Sequence, residues 1–308
     1  MCRTIRPKSA HSRTVGFILI EVVVVLAIIA LVSGLVLVAV QRTRDAAARA
    51  SCASRLRQLA LGVHMYADTG RALPKGCDYP YASSPQEILI QTGLSWHTSI
   101  LPFVEQPTLW SRSLAAQRAD PTGESREHGV VASAVITVFL CPSEPRQRGT
   151  DIFNTDGWGL TSYQGVAGTG IHREDGVFHR NYPVRFADIT DGTTSTLMIG
   201  ERPPGPQGLF GIWYASTGYG QCIFSQLLPA AHVALVPGMA TSNCLPLTPA
   251  YKPSQPDDYC AVGHYWSMHS GGANFAFADG SVRFIRYSAA ELLPALATRA
   301  GGEVVSLD

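Results

Sequence analysis

Charge is scarce in this chain. Of its 308 residues 15% are charged, and 24 Lys and Arg against 23 Asp and Glu leave a formal net charge of +1 at pH 7. No bulk field therefore recruits nucleic acid or an anionic surface. No C-x-x-C pair occurs, which argues against a thioredoxin-like redox site and a zinc ribbon. A P-loop, a G-x-S-x-G elbow and an H-E-x-x-H helix are all missing, so the usual phosphate, acyl-transfer and metalloprotease chemistries have no footing. Gly165-x-x-Gly168-x-Gly170 lacks the spacing and the strand–helix context of a dinucleotide fingerprint. The expectation is a protein that is not an enzyme, has no catalytic residue, takes no cofactor and binds no nucleic acid.

What is present is apolar and loop-rich: 46% hydrophobic residues, 29 Gly and 20 Pro. That composition suits a folded body with many turns rather than disorder. The neutral total hides a local bias, since residues 1–16 carry Arg3, Arg6, Lys8 and Arg13 and no acid. Seven cysteines occur, of which Cys2 lies in this basic segment; the others are Cys52, Cys77, Cys141, Cys222, Cys244 and Cys260. Six cysteines allow about fifteen full pairings, and spacing does not choose among them.

Residues 17–40 read FILIEVVVVLAIIALVSGLVLVAV, with Glu21 as the one charge. At about 1.5 Å per residue such a helix reaches roughly 36 Å, enough for a hydrocarbon core of about 30 Å. A cleaved secretory signal has an apolar region of only about 7–15 residues, so the run is expected to be retained as a transmembrane helix. Arg42, Arg44, Arg49, Arg55 and Arg57 against Asp45 make the second flank basic too, and charge bias alone does not orient the span. Beyond it, Cys52, Leu56, Leu59, Val63 and Tyr66 recur at helical spacing, one face of a helix continuing through 41–66. Gly70 and Pro74 end the pattern.

Gly16-Phe17-Ile18-Leu19-Ile20-Glu21, after a basic leader and before an apolar run, resembles the type IV prepilin motif. The resemblance implies that a prepilin peptidase cuts between Gly16 and Phe17 and methylates the new amine of Phe17. It also implies that the leader stays cytoplasmic, so that the span sits once in the inner membrane with the body periplasmic or extracellular. Glu21 would then be an assembly residue: a carboxylate in lipid is costly when unpaired, and a neighbouring subunit's Phe17 amine could neutralise it within a bundle of helices.

The body is read as residues 67–308. Strand candidates are Ser162–Val166, Gly176–Phe178, Thr196–Ile199 and Leu209–Tyr214, with a turn at Asp191-Gly192. The run VVASAVITVFL at 130–140 reads as a buried strand or a short helix, the segment 96–106 as a short element ending near Pro107, and 221–262 as an irregular insertion. Near the carboxyl end, Asn274–Phe277 and Val282–Ile285 flank Asp279-Gly280, which predicts a hairpin with a type I′ turn. Ser288-Ala289-Ala290-Glu291 predicts a capping box ahead of a short helix over 294–300.

His269, nine residues, then Asp279-Gly280 is similar to the His-x9-Asp-Gly motif of a large bacterial family of unknown function that joins it to a prepilin-type amino terminus. Phe139-Leu140-Cys141-Pro142-Ser143, Ile189-Thr190-Asp191-Gly192-Thr193 and Leu296–Glu303 resemble that family in the same order. Cys52 and Cys141 both lie in segments that resemble shared motifs of the family, which makes them the candidate disulfide; two buried free thiols are the alternative. His269 and Asp279 are read first as structural residues of the hairpin, and only second as metal ligands. Cys260-x3-His264 does not match common zinc spacings.

The fold class expected is α+β and pilin-like: a leader over 1–16, a transmembrane helix over 17–40, its extracytoplasmic continuation over 41–66, and a globular domain over 67–308 built on a mainly antiparallel sheet. The expected role is a pseudopilin or minor pilin-like subunit of a type II secretion or type IV pilus-like system. Its partners would be prepilin peptidase, other pilin-like subunits and inner-membrane lipid. The alternative is a membrane-tethered module that binds a solute, a glycan or a protein.

Overall fold

The structure, a computed structural model, describes residues 14–76, 93–121, 125–149, 157–169, 175–179, 182–206, 211–216, 224–225, 251–258, 260–261, 264–303 and 305. Cys77, Cys222, Cys244 and most of the segment 221–262 lie outside the described residues. The chain divides into two compact units, residues 1–47 and 48–308. The second compact unit thus begins within the helical continuation expected over 41–66.

One helix, α1 (Thr14–Gly70, 57 residues), spans both units. In the first unit its apolar side chains are uncovered: Leu31 and Leu35 are each 67% exposed and Ile20 is 62% exposed. This is a helix long and apolar enough to cross a membrane, judged by length and composition. From Cys52 onward the same helix belongs to the core of the second unit. Cys52, Leu56, Leu59, Ala60, Val63 and Ala67 are buried there, with Tyr66 packed at the margin. Gly62 lies on this face because a Cβ would come within 3.2 Å of Val104 Cγ1 and 3.6 Å of Ile100 Cδ1. Arg71, at φ +61°, turns the chain left-handed just after the last helical residue.

The elements that follow are β1 (Gly93–Leu94), α2 (Trp96–Ser99), α3 (Pro107–Ala119), α4 (Arg126–Ala132), β2 (Arg148–Gly149), β3 (Trp158–Gly159), β4 (Tyr163–Val166), β5 (Leu197–Glu201), β6 (Ala215–Ser216), β7 (Phe224–Ser225), β8 (Gly272–Phe277), β9 (Val282–Arg286) and α5 (Leu293–Ala297). The main sheet has the order β7-β4-β5-β8-β9. Its neighbours are antiparallel except β4 and β7, which run parallel. The class is α+β, as expected.

β4, β5 and β8 are buried along their whole length, because both faces of the sheet are covered. Successive side chains of a strand point to opposite faces. Accordingly Ala273, Phe275 and Phe277 of β8 join one apolar cluster with Leu293, Leu296 and Ala297 of α5, while Ala276 joins the cluster built on α1. A register shift between Leu197 and Ile199 lets both Met198 and Ile199 face the α1 side.

Several expectations change here. The run 130–140 is neither one strand nor one helix: α4 ends at Ala132 and a single 3₁₀ turn covers Thr137–Phe139. Pro107 does not close an element but opens α3, at the first helical position where its missing N–H costs nothing. Gly176–Phe178 forms bends rather than a named strand, although the N–H groups of Gly176 and Phe178 donate to the Ala167 and Val166 carbonyls. In the stretch 209–214 the described residues form one bridge, Ile212 with Leu160. Of the hairpin residues only Gly280 has positive φ, at +84°, and its N–H donates to the Phe277 carbonyl at 2.9 Å. That is a turn followed by one left-handed glycine, not the type I′ turn, which needs two positive φ values. The capping box at Ser288–Glu291 is not formed: a 3₁₀ stretch covers Tyr287–Leu292, and α5 follows with no side-chain cap.

Candidate functional site

α1 delivers Cys52 to the base of the sheet. The loop after the Thr137–Phe139 turn delivers Cys141, and the two form a disulfide across 89 residues of sequence with Cα atoms 5.1 Å apart. The loop is tied down on both sides of the bridge. The Cys141 N–H donates to the Ser162 hydroxyl at 3.0 Å, and Arg55, on α1, donates to the Leu140 carbonyl at 2.5 Å. The Tyr163 hydroxyl donates to the Cys52 carbonyl at 3.2 Å. Burial, together with the nearby Glu201 charge, pushes that hydroxyl well above its ordinary pKa, with Arg55 pulling the other way, so it remains a donor.

His269 enters the same place from the loop before β8. Its N–H donates to the Ser267 hydroxyl at 3.0 Å, and that hydroxyl donates to the Gly272 carbonyl at 2.7 Å, which fixes the approach to the strand. The imidazole Nε2 lies 3.6 Å from Cys141 Sγ and 3.5 Å from Glu201 Oε1. Glu201 is the last residue of β5, and its carboxylate takes two donors from Asn274 on β8: the backbone N–H at 2.7 Å and the side-chain amide at 3.0 Å. Relative exposures of 0% for Cys52, 3% for Cys141, 1% for Glu201 and 8% for His269 make this a closed cluster. One potential ligand atom from each of the four residues lies within 4.8 Å of every other.

Asp279 is not part of it. It stands exposed at the far end of β8, where its carboxylate accepts the Ser281 N–H at 2.8 Å. The nine-residue spacing of His269 and Asp279 is therefore the length of a strand with its two approaches, and the pair does not form one ligand set. Gly280 serves the turn. Glu21 is exposed in the first unit. Gly16 and Phe17 fall within α1 at positions whose side chains lie outside the described residues. Cys260 is disulfide-bonded and so is not available to pair with His264 on a metal.

The remaining motifs form a second junction. The Asp191 carboxylate accepts the N–H groups of Gly301 and Gly302 at 2.7 and 2.9 Å, and Thr298 donates to it at 3.3 Å. The two segments, 189–193 and 296–303, are thus one clasp between a turn and the end of α5. Glu201 and Asn274 escaped the sequence reading. The signal was a single acid closing an apolar strand, Leu197-Met198-Ile199-Gly200-Glu201, and such a carboxylate, once buried, requires partners.

Among the described residues one cleft of about 470 Å³ is lined by Pro253, Ser254, Gln255, Asp257 and Asp258. It contains no aromatic side chain, and it lies apart from the cluster.

The model of a family described as "Protein of unknown function (DUF1559)" matches residues 41–291. The matched stretch includes Cys52, Cys141, Glu201, His269, Asp279 and Gly280 and leaves out Gly16, Phe17 and Glu21. No curated protein and no solved structure matches the chain.

Proposed function

The chain belongs to the DUF1559 family of unknown function, and from its architecture we propose that it is a pseudopilin or minor pilin-like subunit of a type II secretion or type IV pilus-like system. The observation that carries this reading is the division of labour along α1. Its apolar part is uncovered and carries one acid, Glu21, whereas its continuation supplies core residues of the body. An apolar helix left bare in one unit and anchored by its other end suits a subunit that rests in lipid and can be withdrawn into a bundle of like helices. Disulfides at Cys52–Cys141 and at Cys260 suit a body outside the cytoplasm. On this reading the body is periplasmic or extracellular, the partners are prepilin peptidase, other pilin-like subunits and inner-membrane lipid, and the protein is not an enzyme.

The test is mass spectrometry of the mature amino terminus, with crosslinking between subunits in cells. The expected result is cleavage after Gly16 and an N-methylated Phe17. Glu21→Ala should still be cleaved and inserted while losing most subunit crosslinks. An uncut chain, a cut near Ala39, or undiminished crosslinking of Glu21→Ala would overturn the assembly reading.

A further inference from the structure

The buried cluster of Cys52, Cys141, Glu201 and His269 has the donor set of a zinc site in which two of the donors are tied up as a disulfide. We propose that it is a redox-gated metal site: reduction of Cys52–Cys141 frees two thiols that, with His269 Nε2 and a Glu201 oxygen, bind one Zn²⁺.

The spacing supports this. Tetrahedral Zn²⁺ with Zn–S near 2.3 Å and Zn–N and Zn–O near 2.0–2.2 Å has ligand atoms about 3.3–3.8 Å apart. The nitrogen–oxygen edge and one nitrogen–sulfur edge already have that length: 3.5 Å from His269 Nε2 to Glu201 Oε1, and 3.6 Å from that nitrogen to Cys141 Sγ. The two sulfurs are too close, because they are bonded to each other, and every other pair of ligand atoms lies within 4.8 Å. Breaking the bond separates the sulfurs to non-bonded contact, near the roughly 3.8 Å that a shared metal requires. The mixed thiolate, imidazole and carboxylate set favours Zn²⁺ over hard cations such as Mg²⁺ or Ca²⁺. Asn274 holds the carboxylate with two N–H groups, a supporting contact of the kind that orients a metal ligand, and Ser267 fixes the histidine backbone.

The steps balance. A dithiol reductant gives two electrons and two protons, the Cys52–Cys141 S–S bond breaks, two S–H bonds form, and the reductant leaves as its own disulfide. Zn²⁺ then displaces the two thiol protons to the surroundings as two Zn–S bonds form. His269 Nε2 and a Glu201 oxygen complete the set. In the oxidised state the bridge holds α1 to the body; in the reduced state the metal holds the same two residues together.

The experiment uses the full chain in detergent. The oxidised protein and protein reduced anaerobically with a phosphine are each given Zn²⁺, desalted, and assayed for zinc per chain. Co²⁺ replaces Zn²⁺ in a parallel sample, so that visible d–d bands report tetrahedral coordination. The expected result is one zinc per reduced chain, less than a tenth of that in the oxidised chain, and a tetrahedral cobalt spectrum with thiolate charge-transfer bands. Glu201→Gln and His269→Gln should each weaken zinc binding at least tenfold, and His269→Cys, which restores a ligand, should recover it. Tryptophan emission follows the fold throughout. A reduced chain that unfolds even with zinc present, that takes up no zinc, or that binds it equally well as His269→Gln would overturn the proposal.

Discussion

His97 stands in the first turn of α2 with no exposed surface. Its ring stacks on Trp96 at 3.8 Å between centroids and meets Phe139 edge-on at 5.0 Å. Nε2–H donates to the Tyr163 carbonyl at 3.0 Å. Burial lowers its pKa from 6.5 to about 3, against a smaller upward pull from that hydrogen bond. His264 is lowered to about 4, first by burial and then by Lys252, with Asp258 partly opposing. Both folded values lie below the unfolded one, so between about pH 6.5 and these values the unfolded chain holds more protons than the folded one. The stability these neutral rings allow is full above pH 6.5. It falls as the pH drops through that window, by up to about 1.4 kcal/mol per pH unit for each histidine. Below the folded pKa values no further loss comes from them. Urea unfolding of the oxidised protein at a series of pH values should show this slope, and His97→Gln, which keeps an N–H for Tyr163, should lower it by about one proton. An unchanged slope in that variant would remove His97 from the account.

At the scale of elements, the β8–β9 hairpin separates turn geometry from charge. Gly280 has φ +84° and room around it, the nearest contact for an added Cβ being His64 Nε2 at 3.5 Å. The objection to a side chain there is therefore conformational, and Gly280→Val should lose about 1–3 kcal/mol. Asp279→Asn keeps an oxygen to accept the Ser281 N–H and stays exposed, so its change should lie within about 0.5 kcal/mol. Thermal melts and protease sensitivity of the two variants check the ranking. Equal damage from both would point to a role for the Asp279 charge. The hairpin, β4, β5 and the continuous α1 were legible in the sequence because each follows from a period or a turn dipeptide that acts locally. α3 and α4 were not legible. A proline at the start of a helix looks like a stop, and the apolar run after His128 combines the end of α4 with a core-facing loop. The buried cluster was legible only in part: the pair Cys52 and Cys141 and, separately, His269 stood out in the sequence, whereas Glu201 did not. Its four members come from α1, a loop, the end of β5 and the entry to β8, and only the tertiary fold brings them together.

For the molecule as a whole, the useful question is where the body begins. The repeat through Tyr66 invites a cut after residue 66, but the compact unit begins at residue 48. Cutting after residue 66 removes Cys52, Leu56, Leu59, Ala60 and Val63, all with no exposed surface. Burial of Leu56, Leu59 and Val63 alone contributes about 1.5–3 kcal/mol each, and the lost bridge to Cys141 adds about 2–5 kcal/mol. Together these rival the whole stability of an ordinary domain, about 5–15 kcal/mol. A chain of residues 48–308, secreted through an oxidising compartment, should be soluble without detergent and melt in one cooperative transition. A chain of residues 67–308 should aggregate or be degraded. Size-exclusion chromatography and near-ultraviolet circular dichroism distinguish the two. If residues 67–308 gave a folded monomer, α1 would be a detachable stalk, and the body would not depend on the helix for its core.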